Sequence, residues 1–127
     1  MNARTEELAE YYKQKYPFTF TKAVTKDEPF LTKRYKEAWE IAKKAAVILK
    51  SNYGATKVVV FGSLTDRPSF TLWSDIDLAV WGIPENKFYA AVGAVTALTA
   101  DFKIDLVDAI DCRDSLKKAL EIEGVEI

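Results

Sequence analysis

Histidine is absent from this sequence of 127 residues, and cysteine occurs once, at Cys112. Without histidine the sequence has no Ser-His-Asp or Cys-His catalytic centre, no histidine-ligated zinc ion and no histidine acid-base chemistry. A single cysteine also excludes an internal disulfide and a cysteine-rich zinc site within one copy. Any chemistry must therefore rest on carboxylates, lysines, hydroxyl groups or a bound metal ion.

The sequence also lacks an excess of either charge, with 18 basic and 19 acidic residues and a net charge of -1. This balance does not indicate a duplex nucleic acid or an anionic membrane as partner. The longest apolar runs, such as Val58 to Phe61, fall far short of the roughly twenty residues that cross a bilayer. The start, from Met1 to Glu10, is too polar for a signal peptide. We therefore expect a cytoplasmic protein without a membrane partner.

The apolar content is that of a folded protein, with 49% hydrophobic and 13% aromatic residues, and the length fits one domain. Residues 1–31 are predicted to form an N-terminal extension, with a charged stretch from Arg4 to Tyr16 that is expected to be helical. Aromatic residues in this extension predict that it docks on the same chain, on a second copy in a homo-oligomer or on a different protein. Residues 32–127 are expected to form the folded domain.

Hydrophobic periodicity predicts the elements of that domain. A long amphipathic helix is expected to begin with Thr32 as its N-cap and to stop at Gly54. Further elements are predicted as a strand at Lys57–Phe61, a strand at Asp75–Trp81, a helix from Pro84 to about Ala100, a strand at Lys103–Val107 and a helix at Ser115–Glu123 ended by Gly124. This order predicts an α/β fold, a small mixed α+β sheet covered by helices.

Asp75 and Asp77 are the first candidate site residues. Side chains of a strand alternate between its two faces, so these two carboxylates are expected to point the same way. Like charges this close disfavour each other's ionised state unless a cation neutralises them. Magnesium suits such a pair, because it binds few carboxylates together with water and phosphate oxygens. An Asp-x-Asp sequence alone is also compatible with a solvated turn.

Gly62 and Ser63 directly follow the first predicted strand. A glycine turn at this position lets the backbone approach a phosphate, with amide groups and the serine hydroxyl as donors. Alone, the pair is also compatible with an ordinary strand-ending turn. If the strands that end at Phe61 and begin at Asp75 are antiparallel neighbours, phosphate donors and metal ligands converge.

Asp105 supplies a third carboxylate in an otherwise apolar strand. A helical crossover makes this strand parallel to the one that carries Asp77, so both strand starts lie at the same end of the sheet. Three carboxylates can hold two metal ions, with Asp105 placed to help take a proton from an acceptor hydroxyl. Asp108 is the competing third ligand; Asp105 is preferred because Asp108 lies at the far end of the strand and can serve a turn.

Together these motifs resemble the DNA polymerase beta-type nucleotidyltransferases, and in particular the minimal nucleotidyltransferases. The matching segments, within roughly Tyr53 to Ile127, are Val58-Val59-Val60-Phe61-Gly62-Ser63, Ser74-Asp75-Ile76-Asp77-Leu78, Ile104-Asp105-Leu106-Val107 and the closing Ala119-Leu120-Glu121-Ile122-Glu123-Gly124-Val125. Two features depart from the family pattern. Eleven residues, 64 to 74, separate Ser63 from Asp75, one more than usual, and Leu64 stands where an arginine is common. Arg67 could replace that arginine or be simply exposed.

The resemblance implies a magnesium-dependent transfer of a nucleoside monophosphate, AMP from ATP, to a hydroxyl acceptor. Asp75, Asp77 and Asp105 would be catalytic and would bind two Mg²⁺ ions, while Gly62 and Ser63 would bind the nucleotide. It also implies an antitoxin that modifies a tyrosine of a helical HEPN-type toxin. The alternatives are a non-catalytic module that neutralises a partner by contact and a nucleotide-sugar glycosyltransferase, which is normally far longer.

Overall fold

The computed structural model describes residues 28–127 of the chain. The predicted helical stretch from Arg4 to Tyr16 lies outside these residues, and the division into an extension and a domain stays a prediction. In order, the elements are helix α1 (Glu28–Tyr53), strand β1 (Lys57–Phe61), 3₁₀ turns at Gly62–Thr65 and Arg67–Ser69, strand β2 (Ile76–Trp81), helix α2 (Glu85–Thr96), strand β3 (Ile104–Asp108), helix α3 (Asp114–Glu123) and strand β4 (Val125–Glu126). No helix within 28–127 has both the length and the apolar character needed to cross a membrane.

The first three strands and the closing helix lie within one residue of their predicted bounds, whereas two helix ends were predicted wrongly. Helix α1 begins at Glu28, so Thr32 lies inside it and is not its N-cap. Proline is tolerated in the first turn of a helix, and Pro29 therefore does not stop α1. Helix α2 ends at Thr96 rather than near Ala100. Thr99 Oγ1 accepts a hydrogen bond from the Asp101 amide at 3.0 Å, which favours a local turn.

The four strands form one mixed sheet in the order β3-β2-β1-β4. Strand β1 is antiparallel to both β2 and β4, and β2 is parallel to β3. The antiparallel β1/β2 pair and the parallel β2/β3 pair confirm the predicted arrangement. Strand β4 was not predicted, because two residues are too few to show an alternating pattern.

The sheet has two different faces. One face carries the larger core, where Val58, Val60, Ile76 and Leu78 pack with buried residues of α1 and α2. The opposite face carries a smaller cluster beneath α3, with the buried members Val59, Phe61, Ala79, Ala109 and Leu120. Because side chains alternate along β2, Asp77 lies on the same face as Ala79 and Trp81. The start of β2 therefore presents Asp77 on the face of the sheet that carries the smaller core.

Candidate active site

The end of β1 and the start of β2 lie side by side. Phe61, the last residue of β1, is paired with Asp77. Gly62 follows with a φ of +75°, a conformation that residues with a Cβ rarely adopt. A Cβ added to Gly62 would collide with the Asp77 carboxylate, whose Cγ would be 3.3 Å away. The glycine turn and the second aspartate of Asp-x-Asp are therefore in direct contact.

Asp105 joins this pair from the neighbouring strand. It is the register partner of Asp77 across the parallel β2/β3 pair, so both residues project on the face of the sheet that carries α3. Asp77 is 6% exposed, whereas the side chain of Asp105 is 39% exposed. Lys103 Nζ lies 3.7 Å from Asp105 Oδ1 and offsets part of its charge. At this end of the sheet the carboxylate of Asp77 is therefore buried, and that of Asp105 is accessible to solvent.

The other predicted residues occupy different places around this edge. Asp75 is half-buried and lies one residue before β2, while Ser63 is half-buried in the first 3₁₀ turn. Asp108 pairs with Val80 at the opposite end of the strands, and its Oδ1 accepts a hydrogen bond from the Ile110 amide at 3.0 Å. Asp108 therefore serves a turn, as expected from its position.

The donor set can be tested against the chemistry of magnesium. Among residues 28–127, no group of three or more aspartate, glutamate, cysteine or histidine side chains lies close enough to hold a metal ion. Magnesium usually takes only one or two carboxylates and completes its shell with water and phosphate oxygens. Asp77 and Asp105, in register beside a glycine turn, fit a cation that arrives with a phosphate. They do not fit an all-protein cage.

The segment between Gly62 and Asp75 is held against helix α1. Tyr35 donates a hydrogen bond from its hydroxyl to the Leu64 carbonyl at 3.0 Å, and its ring packs edge-on against Phe70 with centroids 5.1 Å apart. Arg67 donates to Thr32 Oγ1 at 3.1 Å, and its guanidinium lies 5.3 Å from the centroid of the Tyr35 ring. Arg67 is thus engaged with α1 rather than standing as an exposed side chain.

Sequence reasoning missed two residues at this edge. Tyr35 lies on helix α1, 29 residues before Leu64, and its hydroxyl holds the loop through the Leu64 carbonyl. Glu123, at the end of α3, accepts a hydrogen bond through Oε1 from the Gly62 amide at 3.4 Å. This contact joins residues 61 positions apart, so no local pattern could have indicated it.

Comparison with known proteins gives a result only at the level of structure. No protein-family model matches the chain, and no curated protein matches it. Among solved structures, a toxin-antitoxin complex with AMP-PNP contains a chain that matches with a TM-score of 0.56 and 21% identity, over 67% of this chain and 70% of that one. The fold is that of the nucleotidyltransferases.

Solved structures that share this fold include MntA, or MNT, antitoxins in complex with HepT or HEPN toxins. The MntA-HepT complex matches with a TM-score of 0.52 and 20% identity over 69% of each chain. A complex of a tri-AMPylated Shewanella oneidensis HEPN toxin with its MNT antitoxin matches with a TM-score of 0.53 and 19% identity over 70% of each chain. The family indicated by the sequence motifs is therefore the one whose fold this chain shares.

Proposed function

We propose that this chain is a magnesium-dependent nucleotidyltransferase that transfers AMP from ATP to a hydroxyl acceptor. The observation that carries the proposal is the meeting of Gly62 with Asp77 and its register partner Asp105 at one edge of the sheet. Phosphate donors and metal ligands are needed at the same place for this reaction. A turn that merely ended β1 would not require a carboxylate in contact with its glycine.

In the proposed reaction the acceptor oxygen attacks the α-phosphorus of ATP, the bond from this phosphorus to the bridging oxygen breaks, and pyrophosphate leaves. Gly62 and Ser63 bind the phosphates through backbone amides and the serine hydroxyl. Asp75, Asp77 and Asp105 would hold two Mg²⁺ ions together with phosphate and water oxygens, and these ions would neutralise negative charge on the phosphate oxygens. Asp105, the more exposed of the register pair, helps accept the proton of the acceptor hydroxyl.

The acceptor we propose is a tyrosine of a HEPN-type toxin, with this chain acting as its antitoxin in the cytoplasm. The proposal is supported by structural neighbours that are solved with AMP-PNP and with a tri-AMPylated HEPN toxin. A tyrosine phenol is a hydroxyl acceptor of the kind that such a reaction needs. The same two neighbours support ATP as the proposed donor.

The experiment combines the purified chain with a HEPN toxin, Mg²⁺ and ATP labelled at the α-phosphate. We expect label on the toxin, and we expect Asp77→Asn to abolish it. Asp108→Asn is the matched control, because Asp108 lies at the opposite end of the same sheet and its replacement keeps a side-chain oxygen for the Ile110 amide. Transfer by Asp77→Asn at the wild-type rate would refute catalysis at this edge.

A second candidate is a binding module that neutralises its partner by contact alone. It is favoured by the structural neighbours, which were solved as toxin-antitoxin complexes. In that case the chain would suppress toxin activity equally with and without ATP. Measuring suppression by the wild type and by Asp77→Asn, in the presence and absence of nucleotide, separates the two functions.

A further inference from the structure

The Gly62 amide donates a hydrogen bond to the carboxylate of Glu123. Gly62 begins the 3₁₀ turn after β1, where its N–H is one of the donors that a phosphate would use. This N–H points to Glu123 Oε1 at 3.4 Å, a distance near the limit for a hydrogen bond. A carboxylate oxygen and a phosphate oxygen are both anionic acceptors, so they compete for the same donor.

The backbone at the end of α3 fixes the position of Glu123. The next residue, Gly124, lies so close to Val59 and to the Leu120 carbonyl that a Cβ there would collide with both. The Gly124 amide donates to the Leu120 carbonyl at 3.0 Å, and the chain then enters β4, where Val125 pairs with Val60. The main chain directly after Glu123 is therefore held against both β1 and the last turn of α3. Its exposed side chain remains free to rotate away from Gly62.

A phosphate that arrives at Gly62 meets negative charge on two sides. Asp77 contacts the glycine from one side, and Glu123 holds its amide from the other. The electrostatic repulsion is proportional to the charge of the ligand. Metal-free ATP carries about four negative charges and its magnesium complex about two, so the carboxylates oppose the metal-free form more strongly. A residue placed in this way discriminates between the two forms.

We propose that Glu123 is a specificity-determining residue, whose carboxylate occupies the Gly62 amide and yields it more readily to a phosphate that is accompanied by a divalent cation. This inference rests on the proposed nucleotide site and names a residue that controls it. Glu123 is not a metal ligand in this scheme. It acts on binding, by competition for one donor and by repulsion of anions that arrive without a metal.

The experiment measures the affinity for AMP-PNP by calorimetry, once with excess Mg²⁺ and once with EDTA, for the wild type, Glu123→Gln and Glu121→Gln. AMP-PNP avoids turnover during the titration. We expect Glu123→Gln to bind metal-free AMP-PNP about tenfold more tightly than the wild type and the magnesium complex about threefold more tightly, because the loss of one charge helps the more anionic ligand more. Its preference for the magnesium complex should therefore fall.

Glu121→Gln is the matched control, since Glu121 is two residues earlier on the same helix and lines a cavity of about 300 Å³ with Lys57 and Lys117, at the other end of the strands. It should match the wild type in both titrations. Equal or weaker binding by Glu123→Gln in both conditions would overturn the inference while leaving the nucleotide site intact. Failure of all three proteins to bind the magnesium complex would overturn the proposed function, and this inference with it.

Discussion

The Asp77 carboxylate lies against Gly62, on the side where any other residue would carry its Cβ. Two independent conditions therefore require glycine at this position. The φ of +75° disfavours side chains, and the carboxylate fills the space that a side chain would need. Gly54 meets only the first condition, with a φ of +79° and no atom within 4 Å of an added Cβ. A comparison of substitutions at Gly62 and Gly54 therefore distinguishes the cost of backbone strain from the cost of a collision with Asp77.

Replacing Gly62 with alanine should disrupt the site, whereas the same change at Gly54 should not. We expect Gly54→Ala to lower the free energy of unfolding by about 1–2 kcal/mol, the cost of a left-handed non-glycine residue. Gly62→Ala should cost about 2–5 kcal/mol, because the collision with Asp77 is added to that strain. Urea unfolding measures both values, and label transfer should be lost only in Gly62→Ala. Equal costs for the two variants would contradict the contact with Asp77.

Magnesium together with ATP should stabilise the folded chain. Asp77 and Asp105 lie in register and carry like charges. A cation that binds both carboxylates together with a phosphate binds the folded chain but not the unfolded chain, and it therefore stabilises the folded state. At a hundredfold excess over the dissociation constant the gain is about 2.7 kcal/mol, which corresponds to a rise in Tm on the order of 10 °C. A thermal melt with and without millimolar Mg²⁺ and ATP measures it.

Asp77→Asn and Asp108→Asn are the controls for this thermal shift. The first variant should lose the shift, since it removes a buried carboxylate at the site, while the second should keep it, since Asp108 lies at the other end of the strands. Magnesium without nucleotide should give a smaller shift than both together, because the carboxylates alone leave most of the metal shell to water. A full shift in Asp77→Asn would place the binding elsewhere.

The strands and their pairing could be predicted from the sequence because the signals were local. Lys57–Phe61 is rich in β-branched residues, and Asp77 and Asp105 interrupt runs that are otherwise apolar. The connection between β2 and β3 through a helix then required the parallel pairing that the structure shows. The contact between Gly62 and Asp77 followed from the antiparallel pairing of β1 with β2, which places the end of one strand beside the start of the other.

The parts that could not be predicted depend on contacts between distant segments. The hydrogen bond from Tyr35 to Leu64 spans 29 residues, and the one from Gly62 to Glu123 spans 61. Periodicity assigns a residue to a face of its own helix but does not identify the atom that its polar end will reach. The start of α1 was missed for a local reason: Thr32 is a residue type that suits an N-cap, but the helix begins at Glu28 and accommodates Pro29 in its first turn.

Replacing Gly124 with alanine should detach the end of α3 from β1. Its φ of -65° carries no strain, but an added Cβ would lie 2.6 Å from Val59 Cγ1 and would also collide with the Leu120 carbonyl. We expect a loss of about 1–3 kcal/mol in the free energy of unfolding. Gly93→Ala, inside α2 with no atom within 4 Å, should instead stabilise the protein by about 0.5–1 kcal/mol. Destabilisation by both variants would indicate a general intolerance to alanine rather than contact with Val59.

Removing the hydroxyl of Tyr35 should loosen the loop that carries the site. Tyr35→Phe keeps the ring contact with Phe70 but leaves the Leu64 carbonyl without this donor, at a cost of about 0.5–1.5 kcal/mol in the free energy of unfolding. Because Leu64 follows Gly62 and Ser63 in the same turn, we expect label transfer to fall about threefold to tenfold through misplacement of the phosphate donors. Tyr89→Phe, at a residue that is 86% exposed, should change neither quantity. Wild-type transfer by Tyr35→Phe, despite the lower stability, would show that the loop keeps its geometry without this hydrogen bond.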